Sequence, residues 1–299
     1  MDLTALFGCL SVPACAVTQV STGLIIGMLL FLVASGLSLI FGVLGVINFA
    51  HGAFYMLGAY FALAGYQLTG NFVVAMAAGA GGMALFGAIF ERLFISRIYG
   101  RDVLMQLLLC YAFVLILDDM VKIIWGAEYQ MMGMPQSFAL PPMFIAGGPV
   151  PPYYLFMICA SVTVGAILWI GIAKTRFGKL VRAAAHNPQM VGALGVNTSV
   201  LYASVFGIGS LLAGLAGALA APVRTLTPGM GLSILIESFI VTVIGGMGSI
   251  VGAFVASLLI GLTRSFGSIG FPLFVDGAMF VMMGLVLILR PSGLFGRQV

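Results

Sequence analysis

A chain of 299 residues in which 62% are hydrophobic and only 7% charged, with a mean hydropathy of +1.21, lies far outside the range of soluble domains, which keep about a quarter of their residues charged. The formal net charge of +4 needs no nucleic-acid partner, because a few basic loops at one membrane face account for it. Apolar tracts of this length and purity call for transmembrane helices of roughly 20 residues, whereas a barrel would alternate in segments of about ten. The fold class is therefore an all-α polytopic membrane protein forming a single transmembrane domain over residues 1–299.

The start, MDLTALFGCLSVPACA, has no basic region of the kind a secretory signal carries and has Asp2 instead, so it reads as a retained, non-cytoplasmic segment. Cys9, Cys15, Cys110 and Cys159 show no metal-ligand spacing and read as apolar packing residues, with pairing of Cys9 and Cys15 left open should that end face an oxidising space. From Leu3 to Phe90 there is no Asp, Glu, Lys or Arg. Apolar runs follow near 20–41, 44–67, 72–90, 104–124, 153–173, 200–222, 232–247, 250–266 and 272–290, giving eight or nine spans.

The parity depends on 41–67, where Gly42, Gly45, Asn48, His51 and Gly52 interrupt the apolar pattern as a broken or re-entrant helix would. Irregular backbone at membrane depth is tolerated only where it is buried in protein or lines a cavity. Asn48, His51, Gly52 and the adjoining Tyr55 are thus candidates for a substrate pathway, with structural packing as the competing reading. A metal site at His51 is not expected, since no second ligand stands at a suitable spacing.

Arg92, Arg97 and Arg101 follow the third run, and Asp118 and Lys122 stand four apart near the end of the fourth, a helical ion-pair spacing. A Pro-rich loop covers about 125–152. Then comes KTRFGKLVRAAAHNPQMVGALGVN, Lys174 to Asn197, with four cations and no acid. Here Asn187 suits an N-cap, Pro188 the first helical turn and Gly195 the position past a helix end, which predicts a short helix from about Pro188 to Leu194 between two spans. Met190, Val191 and Leu194 give it one apolar face on a segment otherwise in water. With Arg290 and Arg297, nine of the twelve cations then lie on one side, the cytoplasmic side by the positive-inside rule. Lys122, Arg224 and Arg264 are the exceptions, placed near outer span ends where long side chains can reach water.

The tract 224–252 breaks at Thr227-Pro228-Gly229 and at Gly245-Gly246-Met247-Gly248. Interrupted segments in corresponding parts of two halves point to a substrate site, although internal similarity is slight, little beyond Gly-Ala-Phe at 52–54 and 252–254. Glu237 lies about six residues inside an apolar run, where a lone carboxylate costs about 2.5–3.5 kcal/mol, so it is expected to face protein or water. It reads as a pathway contact, as a partner for a substrate cation or for Arg224, or as a structural hydrogen bond. Four-residue spacing of small residues, Gly23 with Gly27, Gly248 with Gly252, and Ser210-Gly214-Ala218, indicates close helix contact, chiefly internal. No phosphate-binding loop, catalytic triad, intramembrane carboxylate pair or Arg-rich voltage sensor occurs, so neither an enzyme nor a self-powered pump is indicated. The contrasting possibility is an autonomous channel or secondary carrier.

GLSLIFGVLGVINFAHGAFYMLGAY (36–60), RAAAHNPQMVGALGVN (182–197) and FIVTVIGGMGSIVGA (239–253) together resemble the inner-membrane permeases of branched-chain amino acid ABC importers. The similarity runs in order from about Ser21 to Phe295, and the short tail after Gly293 resembles the smaller of that family's two paired permeases. The resemblance implies a multi-pass protein of the bacterial inner (plasma) membrane. It also implies a homologous second permease, two cytoplasmic ATPase subunits and a periplasmic substrate-binding protein as partners. This chain would hold no cofactor, and Mg-ATP would be bound by the ATPase subunits. Arg182, Ala184, His186, Asn187, Pro188, Val191 and Gly195 would form the ATPase-coupling element, and Asn48, His51 and Gly52 fall in the first-half signature. Substrates of the family include branched-chain amino acids, urea, short amides and aromatic or other carboxylates.

Overall fold

The computed structural model describes residues 3–296. Within them the chain forms twelve α-helices: α1 (Leu3–Ser11), α2 (Pro13–Leu44), α3 (His51–Thr69), α4 (Phe72–Leu93), α5 (Val103–Trp125), α6 (Pro152–Lys174), α7 (Arg176–His186), α8 (Pro188–Ala193), α9 (Thr198–Ala220), α10 (Met230–Gly245), α11 (Ile250–Gly270) and α12 (Val275–Leu289). Each of the nine apolar runs corresponds to one of these helices. Six helical stretches are long and apolar enough to cross a membrane: α2, α4 with the turn that follows it, α6, α9, α11, and α12 together with the 3-10 turn Pro272–Phe274 that leads into it. The other three depart from that standard for visible reasons. His51, Gln67 and three tyrosines dilute α3, Asp118, Asp119 and Lys122 charge α5, and α10 has only 16 residues.

Helices α2 and α9 form the centre of the bundle and are buried along most of their length. At 32 residues α2 is about 48 Å long, well beyond an apolar layer of about 30 Å. Small residues allow this concentric packing. Gly23 and Gly27 of α2 meet Gly261 and Ser257 of α11, and Gly214 of α9 meets Gly58 of α3 and Gly79 of α4. The four-residue glycine spacing therefore serves contacts within the chain. Gly52 and Gly252 sit at the starts of α3 and α11, and both first turns lie against α10, at Gly231 and Gly245.

The apolar run at 44–67 does not form one helix. Residues 45–50 are non-helical, and α3 begins only at His51. Gly45, at φ +66°, ends α2. Nε2 of His51 lies 3.1 Å from the carbonyl of Val33, eleven residues before the end of α2. At 1.5 Å per residue, the 45–50 segment thus climbs back about 16 Å along α2 before α3 starts. This is the interrupted helix expected from the sequence, and it is enclosed by protein: Asn48 and His51 are fully buried.

Two features near the N-terminus go beyond the sequence reading. Cys9 and Cys15, whose pairing the sequence left open, form a disulfide across the elbow between α1 and α2, with Cα atoms 5.2 Å apart. The loop 126–151 is partly ordered by a hairpin of β1 (Met143–Ile145) and β2 (Gly148–Val150), turned at Ala146-Gly147 with both φ values positive, as a two-residue hairpin turn requires. Gly148 lies against the backbone of Ala14, so the hairpin rests on the start of α2. The same loop is bound to the α9–α10 connection by the Gln130–Leu226 bridge.

Candidate functional site

Two groups of residues stand out, one at the interrupted helix and one at the basic end of the bundle. At the first, Asn48 Oδ1 accepts from the amide of Ala50 at 3.1 Å, and the carbonyl of Asn48 accepts from the amide of His51. Asn48 thereby shapes the turn that starts α3. Its Nδ2 and the Nδ1 of His51 have no hydrogen-bond partner, which leaves two buried polar atoms unsatisfied at mid-bundle. Gly52 packs against the backbone of Gly231 so tightly that no side chain fits there. Tyr55, one turn later, is buried and shares a narrow cleft with Arg224, Val33 and Ile234. Of the four sequence candidates, Gly52 and Tyr55 on α3 thus meet the first half of α10, whereas Asn48 shapes the break before α3 and His51 faces Val33 of α2.

Glu237, on that same α10, is 6% exposed. Its partner is Arg264 of α11, whose Nη1 donates to Glu237 Oε1, and not Arg224 as the sequence suggested. The correction has a geometric cause: α10 and α11 form an antiparallel hairpin through Gly245 and Gly252, which carries position 264 back to the level of 237. Arg264 therefore does not simply extend to water, although its side chain remains 32% exposed. Oε2 of Glu237 is unpartnered and buried. Lys122 and Asp118 form the expected i, i+4 pair at 2.8 Å, and Asp119 joins at 2.9 Å.

At the basic end the chain between α6 and α9 folds as two helices. Thr175 caps α7 by accepting from the amide of Gly178 at 3.2 Å. Gly178 packs against the last-turn carbonyls of α6 at Gly171 and Ile172, leaving no room for a Cβ, and Arg182 Nη1 donates to the same Ile172 carbonyl. Val181 and Ala184 face inward while Lys179, Arg182 and His186 remain exposed. This helix was not read from the sequence, where only the short helix from about Pro188 to Leu194 was expected in this segment. The signal was present in the period of Gly178, Val181 and Ala184, three residues apart.

The short helix α8 has the expected ends. Asn187 Oδ1 accepts from the amide of Met190 at 2.9 Å, Pro188 occupies its first position, and Gly195 adopts φ +84° beyond its end. Its apolar residues separate: Val191 is 4% exposed and anchors the helix, whereas Met190 is 59% and Leu194 77% exposed. A capped helix with a buried anchor and two apolar side chains in the open is built to meet another surface.

Nearby, at the root of α4, Tyr99 Oη donates to Glu91 Oε1 at 2.5 Å, and Tyr99 stacks edge-on against Tyr202 of α9. Burial, and then the Glu91 carboxylate, push the Tyr99 phenol above its ordinary value. The pair ties the Arg92–Arg101 turn to α9 and was not anticipated.

The model of the family described as "Branched-chain amino acid transport system / permease component" matches residues 19–289. The chain is 30% identical to the high-affinity branched-chain amino acid transport system permease protein BraD of Pseudomonas aeruginosa, covering 93% of this chain and 95% of the relative. It is 27% identical to the corresponding protein LivH of Escherichia coli K12, with the same coverage of both chains. The probable branched-chain amino acid transport permease protein LivH of Methanocaldococcus jannaschii is also 27% identical, over 90% of this chain and 89% of the relative. No solved structure matches. The match over nearly the whole chain, with the interrupted helix and the capped loop helix inside it, means that this protein belongs to the family of permease components of branched-chain amino acid transport systems.

Proposed function

We propose that the chain is the membrane-spanning permease subunit of an ATP-driven importer in the bacterial inner membrane. It translocates branched-chain or other hydrophobic amino acids, or a related small solute, delivered by a periplasmic binding protein. The observation that carries this reading is α8, with Met190 and Leu194 exposed on an anchored helix at the end of the bundle richest in cations. By the positive-inside rule that end faces the cytoplasm. A disulfide at Cys9–Cys15 suits the opposite, oxidising side.

In this reading two ATPase subunits serve this chain and a homologous second permease. One of them receives α8 in a groove, with Met190 and Leu194 as apolar contacts, while Asn187, Pro188, Val191 and Gly195 fix the helix and Arg182, Ala184 and His186 connect it to the bundle through α7. Mg-ATP is bound by those partners and no cofactor by this chain. Movement of α7 is passed to α6 through the Gly178 contact. The shift has an effect only if the partners bind the inward-facing and outward-facing arrangements with different free energies. Asn48, His51, Gly52, Tyr55 and Glu237 line or support the pathway, the unsatisfied polar atoms of Asn48, His51 and Glu237 marking where partners are exchanged when helices move.

Reconstitution decides between this and an autonomous carrier or channel. Uptake should require the second permease, the ATPases, the binding protein and ATP, and should be abolished by Gly195→Trp or Arg182→Glu without loss of membrane insertion. Uptake by this chain alone in ATP-free vesicles would refute the proposal.

A further inference from the structure

Three cations sit toward the end of the bundle opposite α8, and two of them have acid partners: Lys122 with Asp118 and Asp119, and Arg264 with Glu237. The third, Arg224, has no ion pair and no side-chain hydrogen bond among the described residues. It is half-buried, and it lines the narrow cleft between α2, α3 and α10. The other walls of that cleft are Ile26, Leu29, Leu30, Val33 and Ile234, with Tyr55, and no acid is among them. A guanidinium keeps its charge and its five N–H donors, so an apolar cleft suits it poorly unless an anion joins it there.

The independent sign of a ligand is Tyr55. Its side chain lines the same cleft and is 2% exposed. Its hydroxyl makes no hydrogen bond among the described residues and, unlike those of Ser38 and Tyr60, is not sealed off by surrounding atoms. The buried Tyr153, by contrast, donates to the carbonyl of Leu219 at 2.7 Å. A tyrosine this deeply buried normally finds a partner for its hydroxyl. Tyr55 is also within electrostatic reach of both Arg224 and Glu237, which places the cleft beside the interrupted helix and the α10 carboxylate.

We infer that Arg224 and Tyr55 are the carboxylate-selecting residues of the pathway. The guanidinium and the phenol donate to the substrate's carboxylate, while a branched or aromatic apolar body packs against the aliphatic walls. The assignment rests on the transport reading above and narrows it. Urea and short amides have no charge to answer Arg224 and no apolar body to fill the cleft, so they are not the solutes this chain carries. In the present arrangement the cleft is closed to water, so the carboxylate enters when α2, α3 and α10 part.

The test is ATP-driven uptake in proteoliposomes holding the complete importer and its binding protein, with leucine, 4-methylpentanoate, phenylacetate, urea and acetamide as labelled probes. The wild type should accumulate a carboxylate and neither of the neutral solutes. For that carboxylate, at subsaturating concentration, Arg224→Gln should lower the initial rate roughly tenfold or more, as for a lost hydrogen bond to a charged group, and Tyr55→Phe roughly three- to tenfold. Arg224→Lys keeps the charge and should recover most of the loss. Because Arg224 has no partner in the folded chain, Arg224→Gln should unfold in SDS as the wild type does, which an arginine with a structural role would not allow. Wild-type uptake by Arg224→Gln, equal losses in the Gln and Lys variants, or accumulation of urea or acetamide without any carboxylate would overturn the assignment and leave the transport reading standing. Accumulation of no probe by the wild type would count against the transport reading and, with it, this assignment.

Discussion

Removing Arg264 should be far more damaging than removing Glu237, and removing both should be nearly harmless. In Arg264→Met the carboxylate of Glu237, whose side chain is 8% exposed, would lose its one ion-pair partner while its second oxygen is already unsatisfied. Stranding one member of a buried pair costs about 3–5 kcal/mol. Because Arg264 is 32% exposed, solvent screens the pair, and about 2–4 kcal/mol is the better expectation. In Glu237→Leu the guanidinium can instead turn to water and the new side chain suits its apolar setting, so the loss should be about 1 kcal/mol or less. The double variant removes both charges and should fall within about 1 kcal/mol of wild type, a coupling energy of about 2–3 kcal/mol. Unfolding of the purified chain by SDS in mixed micelles, run as a double-mutant cycle, measures this. Equal losses in the two single variants that simply add in the double would mean that the Glu237–Arg264 contact does not hold α10 to α11.

The remaining expectations follow from particular contacts. Gly178→Leu should force α7 away from the end of α6, reducing ATP-driven uptake at least roughly tenfold at a stability cost of about 1–3 kcal/mol, as for other overpacked sites; uptake at wild-type level would sever α7 from coupling. Tyr99→Phe removes the hydrogen bond to the buried Glu91 carboxylate and should destabilise the chain by about 1.5–3 kcal/mol, while Tyr202→Phe, which keeps the ring contact, should cost less than about 0.5 kcal/mol; the SDS titration reads both. Cys9→Ser should lower stability by about 2 kcal/mol, the entropy of a loop this short, and unreduced wild-type cells should resist thiol labelling at these positions; full labelling without reductant would show the bond to be open.

Much of the architecture was legible because it is local. Composition alone calls for helices in lipid, and the nine apolar runs fall on nine helices. The ends of α8 could be read because Asn187, Pro188 and Gly195 each act on the backbone within a few residues, and Asp118 with Lys122 because i, i+4 partners share a helix face. The break before His51 was marked by glycines and polar side chains that no uninterrupted span would carry. What could not be read depends on how helices are rotated against each other. The choice of Arg264 over Arg224 for Glu237 is set by the α10–α11 hairpin, and the use of Gly178 by the exit direction of α6. Tyr99 with Glu91 belongs to the same class, as both look ordinary until the 94–102 turn folds them together. Of the three apolar residues assigned to one face of α8, Val191 went inward because the helix must be anchored to something, and one turn of sequence does not say which residue is used.

The dependence of transport on the small docking helix is tested most directly by replacing Pro188–Leu194 with a flexible Gly/Ser segment of equal length and measuring ATP-driven accumulation in vesicles that contain all partner subunits. Accumulation should vanish while the altered chain still inserts, with a stability loss of about 1–3 kcal/mol from the buried Val191 anchor. Accumulation at the wild-type rate would contradict the idea that force enters through α8.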